Sequence, residues 1–153
     1  MDKKDLLLSM YEEQAAQARQ HEELRAKATN LTFIAGSVLI SLLFKDGKPI
    51  VDQTALAGVL IGVGIFGVLL SLKHYERNRL HVAIARRYRQ ALEHELSTRD
   101  LSLMRELGQQ DNERKYPWLS RLRLNWLWSS SCVVFIIVGV THLMMSWDFL
   151  RQW

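Results

Sequence analysis

This chain has one cysteine, two prolines and almost no charge in three long stretches, and each shortage excludes something. The lone Cys132 cannot close an intrachain disulfide, and in apolar surroundings a thiol behaves as a small hydrophobe. Prolines occur only at positions 49 and 117, so nothing forces a helix to break in residues 2–48 or 50–116. A glycine-rich phosphate loop, an HExxH and a GxSxG are all missing, so no enzyme is expected. Residues 1–14, MDKKDLLLSMYEEQ, lack the continuous apolar core of a secretory signal. Residues 31–44, 55–72 and 126–147 contain no Lys, Arg, Asp or Glu.

What remains is charge concentrated between those stretches. Charged residues make up 24% of the chain, a share that suggests a soluble domain until their segregation is seen. Of 20 Lys and Arg, five lie in residues 1–30 and twelve in 73–123. Under the positive-inside rule both segments face the cytoplasm, so three spans leave the C-terminus outside. The expected organisation is a cytoplasmic amphipathic helix (1–30), a two-span hairpin (31–72), a cytoplasmic helical segment (73–123), a third span (124–147) and a short external tail (148–153). The fold class is therefore an all-α membrane protein, with three transmembrane helices and long cytoplasmic helical extensions forming a stalk.

The most informative span is 55–72, ALAGVLIGVGIFGVLLSL, with glycines at 58, 62, 64 and 67. Four glycines would each cost a water-soluble helix about 1 kcal/mol relative to alanine. In hydrocarbon no solvent competes for the backbone, and Gly58 and Gly62 form a GxxxG spacing that lets helices approach closely. They are the expected oligomer-packing positions. The first apolar run has only 14 residues, a rise of roughly 21 Å against a bilayer core of about 30 Å. Asp46-Gly47 and Pro49 supply turn chemistry after it.

Along the polar segments, Leu7, Tyr11, Ala15, Ala18 and Leu24 mark an apolar stripe, and Leu80, Ile84, Tyr88, Leu92 and Leu96 a four-residue ridge. The two are expected to pack as an antiparallel stalk. Ser97 and Asp100 resemble a capping box opening a short helix that Gly108 would close, leaving 109–115 as a loop. Tyr116-Pro117-Trp118, with Arg121 and Arg123, has the character of an interfacial anchor. Trp126 and Trp128 mark the inner end of the third span, and Trp147 and Trp153 its outer end.

Candidate chemistry is sparse. His74, His81 and His94 lack the spacing and companion ligands of a zinc site, so no metal and no cofactor are expected. Ser129, Ser130 and Ser131 are expected to bond backbone or a neighbouring helix. Arg86, Arg87 and Arg89, with Arg77 and Arg79 nearby, form the densest basic cluster. Its bland role is orientation toward the inner leaflet and pairing with the acidic first helix. Its sharper role is a site for an anionic ligand or lipid. Interspersed Glu76, Glu93 and Glu95 disfavour nucleic acid. His142 lies near the outer end of the third span, where an interfacial histidine is the simpler expectation. A histidine at membrane depth is also a candidate pH-sensitive group.

The runs AKATNLTFIAGSVLI, FKDGKPI and KHYERNRLHVAIARRYRQALE, with the glycine-rich span between, resemble the RipA family of small bacterial membrane proteins. The resemblance covers roughly residues 1–96 and implies an octameric assembly in the bacterial inner membrane. The plan of amphipathic helix, hairpin and cytoplasmic helix also looks like SLATT-type two-span effectors, which are thought to permeabilise membranes in phage defence. The third span departs from that plan. The functional expectation is a homo-oligomeric, ring-like scaffold or gated pore in stress response or anti-phage defence. The alternative is an accessory anchor for a larger enzyme or transporter. Expected partners are the lipid bilayer, further copies of the chain and a cytoplasmic protein.

Overall fold

The computed structural model describes residues 2–45, 48–49, 53–121 and 124–150. Their order is α1 (Lys3–Leu43), a two-residue antiparallel ladder of β1 (Phe44–Lys45) with β2 (Lys48–Pro49), α2 (Thr54–Glu95), α3 (Asp100–Lys115), a 3-10 turn at Leu119–Arg121, and α4 (Leu124–Leu150). Among the described residues the fold is all-α apart from that ladder, which pairs Phe44 with Pro49 and Lys45 with Lys48. Among the described residues, three helices are long and apolar enough to cross a membrane. With no proline inside them, α1 and α2 continue unbroken from their apolar runs into their charged ones. The Asp46-Gly47 turn, Arg123 and Trp153 lie outside the described residues, as does the end of the expected tail.

Two compact units divide the chain. The first comprises Leu24–His74 with Asn125–Trp153 and holds the membrane-length segments. Its buried positions alternate three and four apart: Ala57, Leu60, Gly64, Gly67 and Ser71 on α2, and Cys132, Phe135, Gly139, His142 and Ser146 on α4. On α1 they are Arg25, Thr29, Thr32, Gly36 and Leu43. A mean spacing of 3.5 is the heptad of helices packed through a continuous seam. This seam is built from small and polar side chains, while Leu31, Phe33, Ile34, Phe66 and Leu69 point outward. Water would penalise that arrangement. Lipid does not, because acyl chains solvate Leu and Phe as well as a protein core does.

Close approach explains the small residues. A methyl group at Gly139 would lie 2.9 Å from the Ala57 carbonyl, and one at Gly64 would lie 2.9 Å from the Cys132 carbonyl. One at Gly67 would meet Thr32 and Cys132 side chains at 2.6 and 2.8 Å. Leu43, Ala57, Leu60 and Phe135 form the apolar centre, covered by Leu39, Ile40, Leu56 and Leu143.

The second unit comprises Met1–Glu23 with Tyr75–Leu124. Here α1 and α2 meet through Ala18, Ala85 and Leu92, all buried, and Asn78 Nδ2 donates to the Ala18 carbonyl at 2.9 Å. Imidazoles of His21 and His81 stack with centroids 5.3 Å apart, and His81 Nδ1 lies 2.8 Å from Gln14 Oε1. Lys3 pairs with Glu95, as an antiparallel arrangement of the two helices requires.

Three expectations need correction. The four-residue ridge is not the buried line, for Leu80 and Leu96 are exposed, as is Leu24 on the α1 stripe. A strict spacing of four drifts about 40° around a helix at each step, so its ends leave any straight interface. Gly108 does not close a short helix: α3 runs through it to Lys115, and residues 109–115 are helical. A single interior glycine costs only about 1 kcal/mol. A Gln109–Glu113 hydrogen bond of 2.9 Å, together with Arg114 and Lys115 at the negative end of the helix, favours continuation.

The third correction concerns Ser97, which ends α2 instead of capping α3. Thr98 N donates to the Glu93 carbonyl at 3.0 Å and Ser97 N to that of His94 at 3.2 Å, the bond pair of a Schellman closure. Ser97 sits in its left-handed position at φ 50°. At the start of α3, Glu93 does the work expected of a cap: its carboxylate accepts from Ser102 N and, at 2.6 Å, from Ser102 Oγ.

Candidate functional site

Helical geometry brings Tyr11, Ala15, Ala18, Arg19 and Glu22 of α1 to one face, and Asn78, Val82, Ala85, Arg86 and Arg89 of α2 to another. Arg105 of α3 completes the wall of a cavity of about 360 Å³ between them. Four arginines converge there against one lining carboxylate, Glu22, which is itself engaged. Arg87 is not part of the lining. It follows Arg86 by about 100° of rotation, so the two cannot share a face. A second depression of about 310 Å³ shares Arg86, Arg89 and Arg105 and adds Ser102, Glu106 and Gln109.

The electrostatics follow from crowding like charges. Burial lowers the Arg105 pKa from its usual value, and Arg86 and Arg89 push it the same way, opposed by Tyr11. Arg89 Nε is sealed from solvent and has no hydrogen-bond partner among the described residues. Next to this cluster, the hydrogen bond from Ser102 Oγ holds the Glu93 carboxyl below its usual range, with help from Arg89 and Arg99.

Of the basic residues picked from sequence, then, Arg86 and Arg89 enter the cavity and Arg87 does not. Arg19 and Arg105 were missed. Arg19 carried a usable signal, because it follows Ala15 by one turn on the stripe already read as packed. Arg105 carried none, since the docking of α3 depends on Glu93 and Ser102.

In the membrane-length unit, His142 is 2% exposed, and neither ring nitrogen has a partner among the described residues. Phe44 meets its ring edge-on at 6.1 Å between centroids. His142, expected near the outer end of the third span, is buried within the chain. Its place in the 132–135–139–142–146 series explains why. Arg25, unremarked in the sequence, is also 2% exposed, with its guanidinium 6.0 Å from the Trp128 ring. Ser130 and Ser131 donate to the Leu127 and Trp128 carbonyls at 3.0 and 2.8 Å.

Gly58 and Gly62 differ from the seam glycines. A methyl group at either would meet nothing within 4 Å. Gly62 instead lines an open apolar groove with Leu31, Thr32, Ala35, Val59 and Phe66. His74, His81 and His94 contribute to no cluster able to hold a metal among the described residues.

These features define a class: an all-α protein with three membrane-length helices and a helical unit bearing a cationic cavity. No family model matches the chain, and neither a curated protein nor a solved structure matches it.

Proposed function

We propose that this chain is a homo-oligomeric membrane protein, a ring-like scaffold or gated pore in stress response or phage defence. Its proposed site is the bacterial inner membrane, with the N-terminus cytoplasmic and the C-terminus external. The observation that carries this reading is the division of labour among glycines. Gly64, Gly67 and Gly139 are filled by neighbours within the chain, whereas Gly62 lines an unfilled apolar groove and a methyl group at Gly58 would meet nothing within 4 Å. A small-residue groove toward lipid gives up packing that a Leu or Ile would supply, unless another helix fills it. The resemblance to RipA and SLATT-type proteins points the same way. On this reading α3 also packs on a neighbouring subunit, for Leu101, Leu103, Met104 and Leu107 are exposed on a helix that buries no residue.

That same apolar face supports the second reading, an accessory anchor whose partner is a different protein. The mass of the purified chain in native lipid particles separates the two. A single species of many subunits, lost when Gly58 and Gly62 are both replaced by Leu, supports self-assembly. A monomer that acquires mass only with a co-purifying protein supports the accessory role.

A further inference from the structure

We propose that the cavity between α1, α2 and α3 is a binding site for an organic phosphate, with the phosphate among Arg19, Arg86, Arg89 and Arg105 and a compact apolar body against Tyr11 and Val82. The inference does not rest on the oligomeric reading. Four guanidinium groups around one concavity repel one another, with Glu22 the one carboxylate in the lining and Glu93 acting on Arg89 from beside it. Arg19, Arg86 and Arg105 reach solvent as Arg87 does, but they stand around one concavity that Arg87 does not line. Here three of them are shared between two adjoining depressions, and Arg89 keeps a buried N–H without an acceptor. An unpaired buried donor is costly, and a guanidinium matches phosphate oxygens two at a time.

Volume and lining narrow the ligand class. A cavity of about 360 Å³ lies at the small end of ligand sites, which run from roughly 300 to 1,000 Å³. That admits a phosphate with a modest body and excludes a large polyanion. Besides the arginines, the lining includes Tyr11, Ala15, Ala18, Val82 and Ala85, which an inorganic ion would leave unfilled. The same chemistry is offered by a free phosphate monoester and by the headgroup of an anionic lipid, and the experiment distinguishes them.

The full chain in phosphatidylcholine nanodiscs would be unfolded thermally while phenyl phosphate is titrated, without divalent metal. Saturable stabilisation is expected, weaker with inorganic phosphate. Arg105→Gln should weaken binding about 10- to 100-fold, the range for one charged hydrogen-bonding contact. Because it relieves repulsion, the same variant should unfold later than wild type when no anion is present. Arg19→Gln, at an exposed position of the opposite wall, gives an independent readout, and Arg87→Gln should change nothing. Stabilisation by phosphatidic acid in the disc but not by phenyl phosphate, lost in both cleft variants, would assign the site to lipid and still support it. The proposal is overturned by either of two results: wild type and cleft variants respond alike to both anions, or Arg87→Gln loses as much affinity as Arg105→Gln.

Discussion

The ring of Phe135 lies directly over Gly36, so closely that a methyl group there would come within 2.5 Å of Cζ. Phe135 is buried, and the absent side chain of Gly36 is the space it occupies. A knob from α4 thereby fills a hole in α1, as heptad packing requires.

This predicts a graded response to alanine. At Gly64 and Gly139 the obstruction is backbone, which cannot turn aside, so Gly64→Ala and Gly139→Ala should each lower stability by roughly 1–3 kcal/mol. Gly36→Ala meets a ring that has limited room to tilt and should fall in the same range or below it. Gly58→Ala and Gly62→Ala meet nothing and should not destabilise the single chain. Thermal unfolding of the five variants in one detergent checks the order. Equal losses at 58 and 139 would contradict the packing described.

The same contrast shows what the sequence made legible. Runs without charge announced three membrane-length helices, because the bilayer imposes a length and a composition that need no knowledge of packing. The seam was hidden because most of its members are Thr, Ser, Gly, Ala, Cys and His, with Leu43, Leu60 and Phe135 its few large apolar side chains. A search for large apolar residues at helical spacing finds the lipid-facing side of such helices, not the packed one. The cationic cavity was half visible, since Arg86 and Arg89 stand on one helix. Its other half depends on tertiary docking: Arg105 arrives only because Glu93 and Ser102 fix α3.

Ser97 offers a second test. Its left-handed backbone is one that glycine adopts without penalty and serine does not. Ser97→Gly should therefore stabilise the protein by about 0.5–1 kcal/mol, while Ser97→Val should destabilise it. Urea unfolding of the pair measures both signs. A glycine variant less stable than wild type would mean that the Ser97 side chain contributes more than its backbone strain costs.

Glu93 links α3 to pH. Its carboxyl is held below the ordinary value of 4.5, chiefly by the Ser102 hydroxyl, so the folded state favours the ionised form. The resulting stability is fully present above that value and is lost as pH falls through the lower folded pKa. Thermal unfolding followed from neutral pH down through this range should show a drop that Glu93→Gln reduces. The variant's deficit at neutral pH should shrink toward zero in acid. A deficit that stays constant with pH would assign Glu93 a packing role instead.

His142 tests whether a buried cost is being kept for a purpose. A ring with two unpartnered nitrogens inside a membrane-length unit forfeits hydrogen bonds that it would make in water. Its neighbour Phe44 offers an edge contact but no hydrogen-bonding atom in its side chain. Replacing such a group by an apolar one of similar size commonly gains stability, because nothing is left unsatisfied. His142→Leu should therefore raise the unfolding free energy by roughly 1–3 kcal/mol in detergent, and His142→Gln, which keeps polar atoms, should not. A stabilised leucine variant that still assembles but no longer supports permeation or partner binding would place His142 in the working part of the molecule, where stability has been exchanged for activity. A leucine variant less stable than wild type would show that the imidazole is satisfied in the membrane, and would remove His142 from the candidate residues.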